Sequence, residues 1–201
     1  MFAFFTTLDH QLFWLINSHH NGFCDYFFSI VTFFGSGWVV APVLLIAVFT
    51  TAPSKKRVPL IVFASLVLTA SGLINSQAKH FFHTPRPLAV FAREDKAVSD
   101  TTPDKLQSVL GRSPVHAVGE KLMLNSFPSG HSNTAFAAAM LMVLCFGRKF
   151  RPAFLVACLV GYSRVYLGMH FPSDVIGGAF LGSIIVGAGF FVFRLLQRMR
   201  K

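Results

Sequence analysis

Runs without a charged residue set the limits on what this chain can become. Within its 201 residues, 26–54, 58–78, 132–147, 152–163 and 175–193 contain no Asp, Glu, Lys or Arg. A helix that crosses hydrocarbon needs about 20 apolar residues, which is the scale of these runs. Charged residues make up only 13% of the chain and hydrophobic ones 53%, against about 25% charged in a soluble domain. Five such runs buried in a soluble protein would leave too little polar surface to cover them. The same composition excludes a disordered, collagen-like or coiled-coil chain. Its 3 Cys, without paired spacing, exclude a disulfide scaffold. The class is membrane protein.

The net charge of +10 raises nucleic acid as a partner, and its placement argues against that. Lys55, Lys56 and Arg57, then Arg148, Lys149 and Arg151, then Arg194, Arg198, Arg200 and Lys201 form clusters between or after the apolar runs, with no carboxylate among them. Across 87–127 the charges balance, with Arg93, Lys96, Lys105, Arg112 and Lys121 against Glu94, Asp95, Asp100, Asp104 and Glu120. Excess Lys and Arg in short loops marks the cytoplasmic side of a membrane. With all three clusters inside, 37–52 runs inward, 58–79 outward, 131–147 inward, 152–168 outward and 174–193 inward. The expected fold is therefore all-α, a polytopic membrane helix bundle with five transmembrane helices, and a sixth in the N-terminal part stays open.

The first 35 residues contain no Lys or Arg, so the orientation rule is silent there. Phe4, Phe5, Leu8, Leu12, Leu15 and Ile16 recur at helical spacing, with Asp9, His10, Gln11 and Asn17 mostly off that stripe. This amphipathic pattern suits a helix lying in the interface. Apolar residues 26–34 either continue the next span or form a separate short helix. The expected organisation is an interfacial segment over 1–35 and a membrane-embedded domain over 36–201, with 80–128 as an extracytoplasmic loop. Within that loop, 91–107 reads as irregular chain. No basic n-region precedes the first apolar stretch, so a cleavable signal peptide is not expected. Gly178 and Gly182 have a small-xxx-small spacing that fits packing within the bundle or a homodimer face. Cys24, Cys145 and Cys158 read as small apolar fillers.

Ionisable groups gather at the outer ends of the spans. Lys79 ends one span, and Arg86 follows between Pro85 and Pro87; Pro128-Ser129-Gly130-His131 opens the next. Ser163-Arg164 ends another, with His170 and Asp174 at the start of the last. Ionisable groups at membrane depth are functional candidates by default. The set suits phosphate. Arg86 and Arg164 offer guanidinium forks that match phosphate oxygens, and Lys79 adds a third cation. The flanking prolines restrict the backbone at Arg86. Ser129-Gly130 opens a helix whose N–H groups and dipole favour an anion. Two histidines then serve proton transfer and attack, with one carboxylate to orient one of them. No carboxylate cluster suited to Mg²⁺ is present, so no metal and no cofactor is expected. His80, His83 and His116 could be offered as metal ligands by spacing alone, but a structural role is the stronger reading.

Three motifs in order carry a family resemblance. Lys79, six residues, then Arg86-Pro87 is the first; Pro128-Ser129-Gly130-His131 is the second. Ser163-Arg164, five residues, His170, three residues and Asp174 make the third. The chain over about 37–193 resembles the type 2 phosphatidic acid phosphatase family of integral membrane lipid phosphatases, relatives of the vanadium haloperoxidases. The resemblance implies that His170 attacks phosphorus, Asp174 orients and stabilises its imidazole, and His131 protonates the leaving oxygen and then activates water. It implies that Lys79, Arg86, Ser129, Gly130 and Arg164 bind the phosphoryl oxygens.

The implied activity is metal-independent hydrolysis of a lipid phosphate or diphosphate on the extracytoplasmic face of a bacterial inner membrane, with the C-terminus in the cytoplasm. Undecaprenyl pyrophosphate is the preferred substrate by family habit, beside phosphatidylglycerol phosphate, phosphatidic acid and the lipid A 1-phosphate. Partners are the lipid substrate and the bilayer. A lipid phosphotransferase, a haloperoxidase-like activity and a non-catalytic lipid-binding or transport protein are the other readings. The presence of both histidines and the aspartate favours turnover over mere binding.

Overall fold

A computed structural model describes residues 2–94, 114–119 and 121–199. Among them the chain forms eight α-helices and one 3-10 turn: α1 (Phe2–Asn17), α2 (Gly22–Phe33), α3 (Gly37–Thr51), α4 (Ser54–Phe82), α5 (Pro87–Glu94), α6 (Gly130–Phe146), the turn Arg148–Phe150, α7 (Ala153–Tyr166) and α8 (Pro172–Met199). The all-helical architecture follows the apolar runs, with α3, α4, α6, α7 and α8 standing where five spans are expected. By length and apolar character alone, the helices over α4 and α8 qualify as membrane spans, and α2 with α3 adds a third if that bent pair counts as one.

Helix association in lipid gains little from burying apolar surface, because lipid tails are as apolar as Leu; close backbone approach matters more. The packing of α8 on α6 shows this. Asp174, Gly178, Gly182 and Val186 form one buried stripe on α8. A Cβ on Gly178 would overlap the carbonyl oxygen of Ser129, and one on Gly182 that of Asn133. The small-residue spacing is thus used inside the bundle. Around the outside, Leu66, Leu73, Phe180, Ile184 and Phe191 are exposed, an apolar shell of the kind that faces lipid.

The N-terminal part resolves in an informative way. Residues 26–34 belong mainly to a separate helix, α2, which meets α3 at a 59° bend. On α1, Leu8, Leu12 and Leu15 are exposed while Phe13 and Asn17 are fully buried. Leu8, Leu12 and Leu15 thus face away from the bundle, while Phe13, Trp14 and Ile16 pack inward together with Asn17. Asp9 Oδ1 and Oδ2 accept hydrogen bonds from Ser173 N (2.8 Å) and Ser173 Oγ (2.5 Å) at the start of α8. Asn17 Nδ2 donates to the carbonyls of His116 and Tyr166, both at 2.8 Å, and its Oδ1 accepts from His116 N–H at 2.9 Å. Phe13, Leu88, Phe91, Val115, Val165 and Phe171 make one apolar cluster, so α1 and α5 both pack beside the segment that carries His170.

The expectation of irregular chain over 91–107 fails at its start. Residues 91–94 close α5, which begins at Pro87, a residue whose fixed φ and missing N–H suit the first helical position. Residues 95–107 lie outside the described residues, as do most of the balanced charges of that loop and Arg200 and Lys201.

Candidate active site

The site assembles where four helix ends meet: the C-termini of α4 and α7 and the N-termini of α6 and α8. Lys79 stands in the last turn of α4 and Arg164 in that of α7, while Gly130 is the first residue of α6 and Asp174 lies in the first turn of α8. Ser129 N–H donates to the Asp174 carbonyl at 2.9 Å, which ties the starts of α6 and α8 together. The cation clusters Lys55–Arg57 and Arg148–Arg151 stand at the opposite ends of these helices.

His170 is almost fully buried in the short link between α7 and α8, beside buried Asp174. Its backbone N–H donates to the Arg164 carbonyl at 3.3 Å. Its Nδ1 lies 3.4 Å from Asp174 Oδ2, one helical turn away. The same carboxylate oxygen accepts from Phe171 N–H at 2.8 Å and from Ser126 Oγ at 2.5 Å. Ser126 Oγ is also 3.3 Å from His170 Nδ1. Burial first, then the charges of Arg86, Arg164 and Lys79, hold the His170 imidazole well below the usual histidine range, so it is neutral near pH 7.

The cations are held from behind. Lys79 Nζ donates to the carbonyls of Asn125 (2.7 Å) and Ser126 (3.3 Å). Asn125 has φ of 58°, a left-handed conformation that Asn adopts more readily than most residues. Arg86 Nε donates to Leu124 O at 3.0 Å and its NH1 to Met169 O at 3.2 Å. Arg164 NH1 donates to Thr32 Oγ1 at 2.8 Å, and its buried Nε has no hydrogen-bond partner among the described residues. These two arginines are themselves buried, an expensive placement unless an anion arrives.

Ser129 is fully buried. Its hydroxyl makes no cap bond to α6 and instead accepts from Ser132 Oγ at 3.2 Å. Beside Gly130, an added Cβ would come within 3.6 Å of Asn75 Nδ2 and 3.9 Å of Lys79 Cε. His131 follows in the first turn of α6, with its backbone against Gly35, where a Cβ would press on the His131 carbonyl oxygen and Cβ. All eight candidate site residues drawn from the three motifs therefore come to one end of the bundle.

Three contributors escape the motifs. Ser126 sits three residues before Ser129 and touches both His170 and Asp174. Thr32 and Gly35 come from the α2–α3 bend and touch Arg164 and His131. His80 and His83 are exposed, and His116 is engaged by Asp25 at 2.9 Å and by the ring of His20, stacked at 3.8 Å. Among the described residues, no three His, Cys, Asp or Glu side chains are grouped to hold a metal ion.

A buried histidine–aspartate pair with cations close by, at one end of an apolar helix bundle, is an arrangement suited to holding an anion. Comparison with known proteins gives that arrangement its family. Residues 60–198 match the PAP2 superfamily, and the chain belongs to it. It is an integral membrane phosphatase. The chain is similar to undecaprenyl-diphosphatase BcrC of Bacillus subtilis, 27% identical over 186 residues that cover 91% of this chain and 80% of the relative. It is also 27% identical to the lipid A 4'-phosphatase of Bacteroides thetaiotaomicron, covering 90% of this chain and 75% of that one. Among solved structures, Aquifex aeolicus LpxE superposes with a TM-score of 0.69 at 30% identity, over 90% of this chain and 94% of that one. A Bacillus subtilis PAP2-type phosphatidylglycerolphosphate phosphatase gives 0.67 at 21% identity, over 98% and 88%, and shares the fold.

Proposed function

We propose that this protein hydrolyses a phosphate or diphosphate ester of a membrane lipid through a phosphohistidine. The observation that carries the reading is the meeting of neutral, buried His170 with Asp174 on one side and three cations on the other. In the first half-reaction the lone pair of His170 Nε2 forms a bond to phosphorus while the bond to the leaving oxygen breaks. Protonated His131 gives that oxygen its proton. In the second half, His131 takes a proton from water, whose oxygen bonds to phosphorus as the N–P bond breaks and its electron pair returns to His170. Asp174 stabilises the imidazolium character that develops. Lys79, Arg86, Arg164 and the Ser129-Gly130 start of α6 stabilise the equatorial oxygens, which is the main demand of phosphoryl transfer. No metal or cofactor enters this scheme.

A lipid is favoured over a soluble ester by a groove of about 440 Å³ between α3, α4 and α6, lined by Leu44, Leu68, Ser71 and Asn133 among others. We infer that a lipid chain seated there extends its headgroup toward the site, since the lining reaches Asn133, two residues along α6 from His131. The similarity to BcrC favours undecaprenyl diphosphate as the substrate. We further propose that α3, α4, α6, α7 and α8 cross a bacterial inner membrane. The Lys and Arg clusters and the C-terminus then face the cytoplasm, the site faces outward, and 1–35 lies at the outer interface beside the embedded domain 36–201.

Phosphate release from lipid phosphates, measured in detergent with EDTA present, tests the reaction. The wild type releases phosphate from at least one lipid and His170→Ala from none; equal release by the two contradicts the reading. A cysteine placed within 95–105 tests the orientation. It reacts with an impermeant reagent in intact cells, and reaction only after lysis contradicts an outward-facing site.

A further inference from the structure

We infer that Ser126 is a positioning residue for His170, selecting the ring tautomer that leaves Nε2 bare for attack. The inference rests on the proposed phosphohistidine reaction and adds a residue that the three motifs omit.

A serine hydroxyl has one proton to give. At 2.5 Å from Asp174 Oδ2, that proton points to the carboxylate, because two oxygens that close require a hydrogen between them and a carboxylate has only lone pairs to offer. The Ser126 oxygen then presents lone pairs to His170 Nδ1, 3.3 Å away. The other neighbour of Nδ1, Asp174 Oδ2 at 3.4 Å, is also an acceptor. Between two acceptors, a neutral imidazole carries its proton on Nδ1 and leaves Nε2 with a free lone pair. Without the hydroxyl, Nδ1 keeps a single acceptor near the outer limit of hydrogen bonding, and the carboxylate loses its shortest donor.

The backbone of Ser126 is tied to match. Its N–H donates to Thr84 O at 3.0 Å, and its carbonyl accepts from Lys79 Nζ at 3.3 Å. Phe127 N–H donates to Thr84 Oγ1 at 2.8 Å. Ser126 therefore links the segment bearing Lys79 and Arg86 to the His170–Asp174 pair, three residues before Ser129 begins the phosphate-binding turn. The side chain is fully buried, so its hydroxyl has no exchange with bulk water to compensate for a poor orientation.

The test compares Ser126→Ala and Ser126→Cys with wild type, His170→Ala and Asp174→Asn. The measurements are steady-state phosphate release from a lipid phosphate and thermal unfolding in detergent. Cysteine keeps the side-chain size with a much weaker donor. The expected result for both Ser126 variants is a kcat lowered about 10- to 100-fold, the scale seen when an outer partner of a working histidine is lost. KM stays within about twofold, because no substrate contact is removed. Adding Ser126→Ala to Asp174→Asn then costs little more than Asp174→Asn alone, since the hydroxyl acts through that carboxylate. Wild-type kcat in a folded Ser126 variant overturns the inference. So does a loss that multiplies in full with that of Asp174→Asn, or a loss confined to KM. If alanine does not fold, the cysteine variant decides by the same kcat criterion. Active His170→Ala would instead sink the phosphohistidine reading; inactive His170→Ala with fully active Ser126 variants would sink only the role of Ser126.

Discussion

The two sides of the site are built differently. On one side, His170 in the link before α8 and Asp174 in the first turn of α8 stand four residues apart, and Ser126 reaches in from the chain before α6. Their mutual bonds orient a proton and a lone pair. On the other side, Lys79, Arg86 and Arg164 come from three separate segments, and each is propped from behind by carbonyl or hydroxyl oxygen. The first side needs exact angles among few atoms. The second needs charge delivered at the right depth, with its forks aimed at equatorial oxygens. Damage to the first should fall on kcat alone, whereas damage to the second should reach kcat and KM together.

The largest expected effect on the cation side comes from Arg164→Lys, which keeps the charge and loses the fork. Phosphate-release kinetics should show kcat/KM reduced on the order of 10²–10³-fold, by analogy with loss of one oxyanion donor. A value within threefold of wild type would mean that charge alone suffices there. Gly178→Val acts on the frame beneath both sides, since its side chain would enter the Ser129 carbonyl. Overpacking of this kind costs about 1–3 kcal/mol, so thermal unfolding in detergent should begin at lower temperature and activity should fall with it.

The pH profile joins the two sides. Burial and the neighbouring cations lower the His170 pKa. A lowered pKa means that the neutral nucleophile persists as pH falls through ~6.5, the ordinary histidine value. The acid limb of kcat/KM should therefore lie below that point. Arg164→Gln removes one repelling cation, so the imidazole takes a proton more readily and the limb should move to higher pH. An unmoved limb would separate the two sides electrostatically. The smallest effect belongs to Thr32→Val, which strips one neutral acceptor from the Arg164 guanidinium. A loss of about 10-fold or less in kcat/KM is expected, with thermal unfolding unchanged.

The legible part of this molecule was its chemistry at fixed spacing. His170 and Asp174 lie four residues apart, and Lys79 to Arg86-Pro87 spans one local stretch, so the sequence displays both. The helices followed from the absence of charge. The number of spans did not, because α6 with 17 residues and α7 with 14 fall short of the about 20 that a full crossing uses. Ser126 was legible only as part of the stretch 125–127 that leads into the second motif and could line the pocket; its bond to Asp174, 48 residues away, appears only in the fold. Thr32 and Arg164 are 132 residues apart, a contact that no periodicity records. On α1 the spacing marked Leu8, Leu12 and Leu15, which turn outward, but not the inward face, where Phe13 packs beside the polar anchors Asp9 and Asn17. For α5, the sign in the sequence is Pro87, which both closes the first motif and suits the first helical position.

The central claim is that His170 becomes phosphorylated during turnover. Rapid denaturation of the enzyme mid-reaction with a lipid labelled in its phosphate measures this directly. The account predicts label bound to the wild-type chain, lost in acid and stable in base, and no such label on His170→Ala. Labelled His170→Ala, or wild type turning over without any bound label under single-turnover conditions, would contradict it.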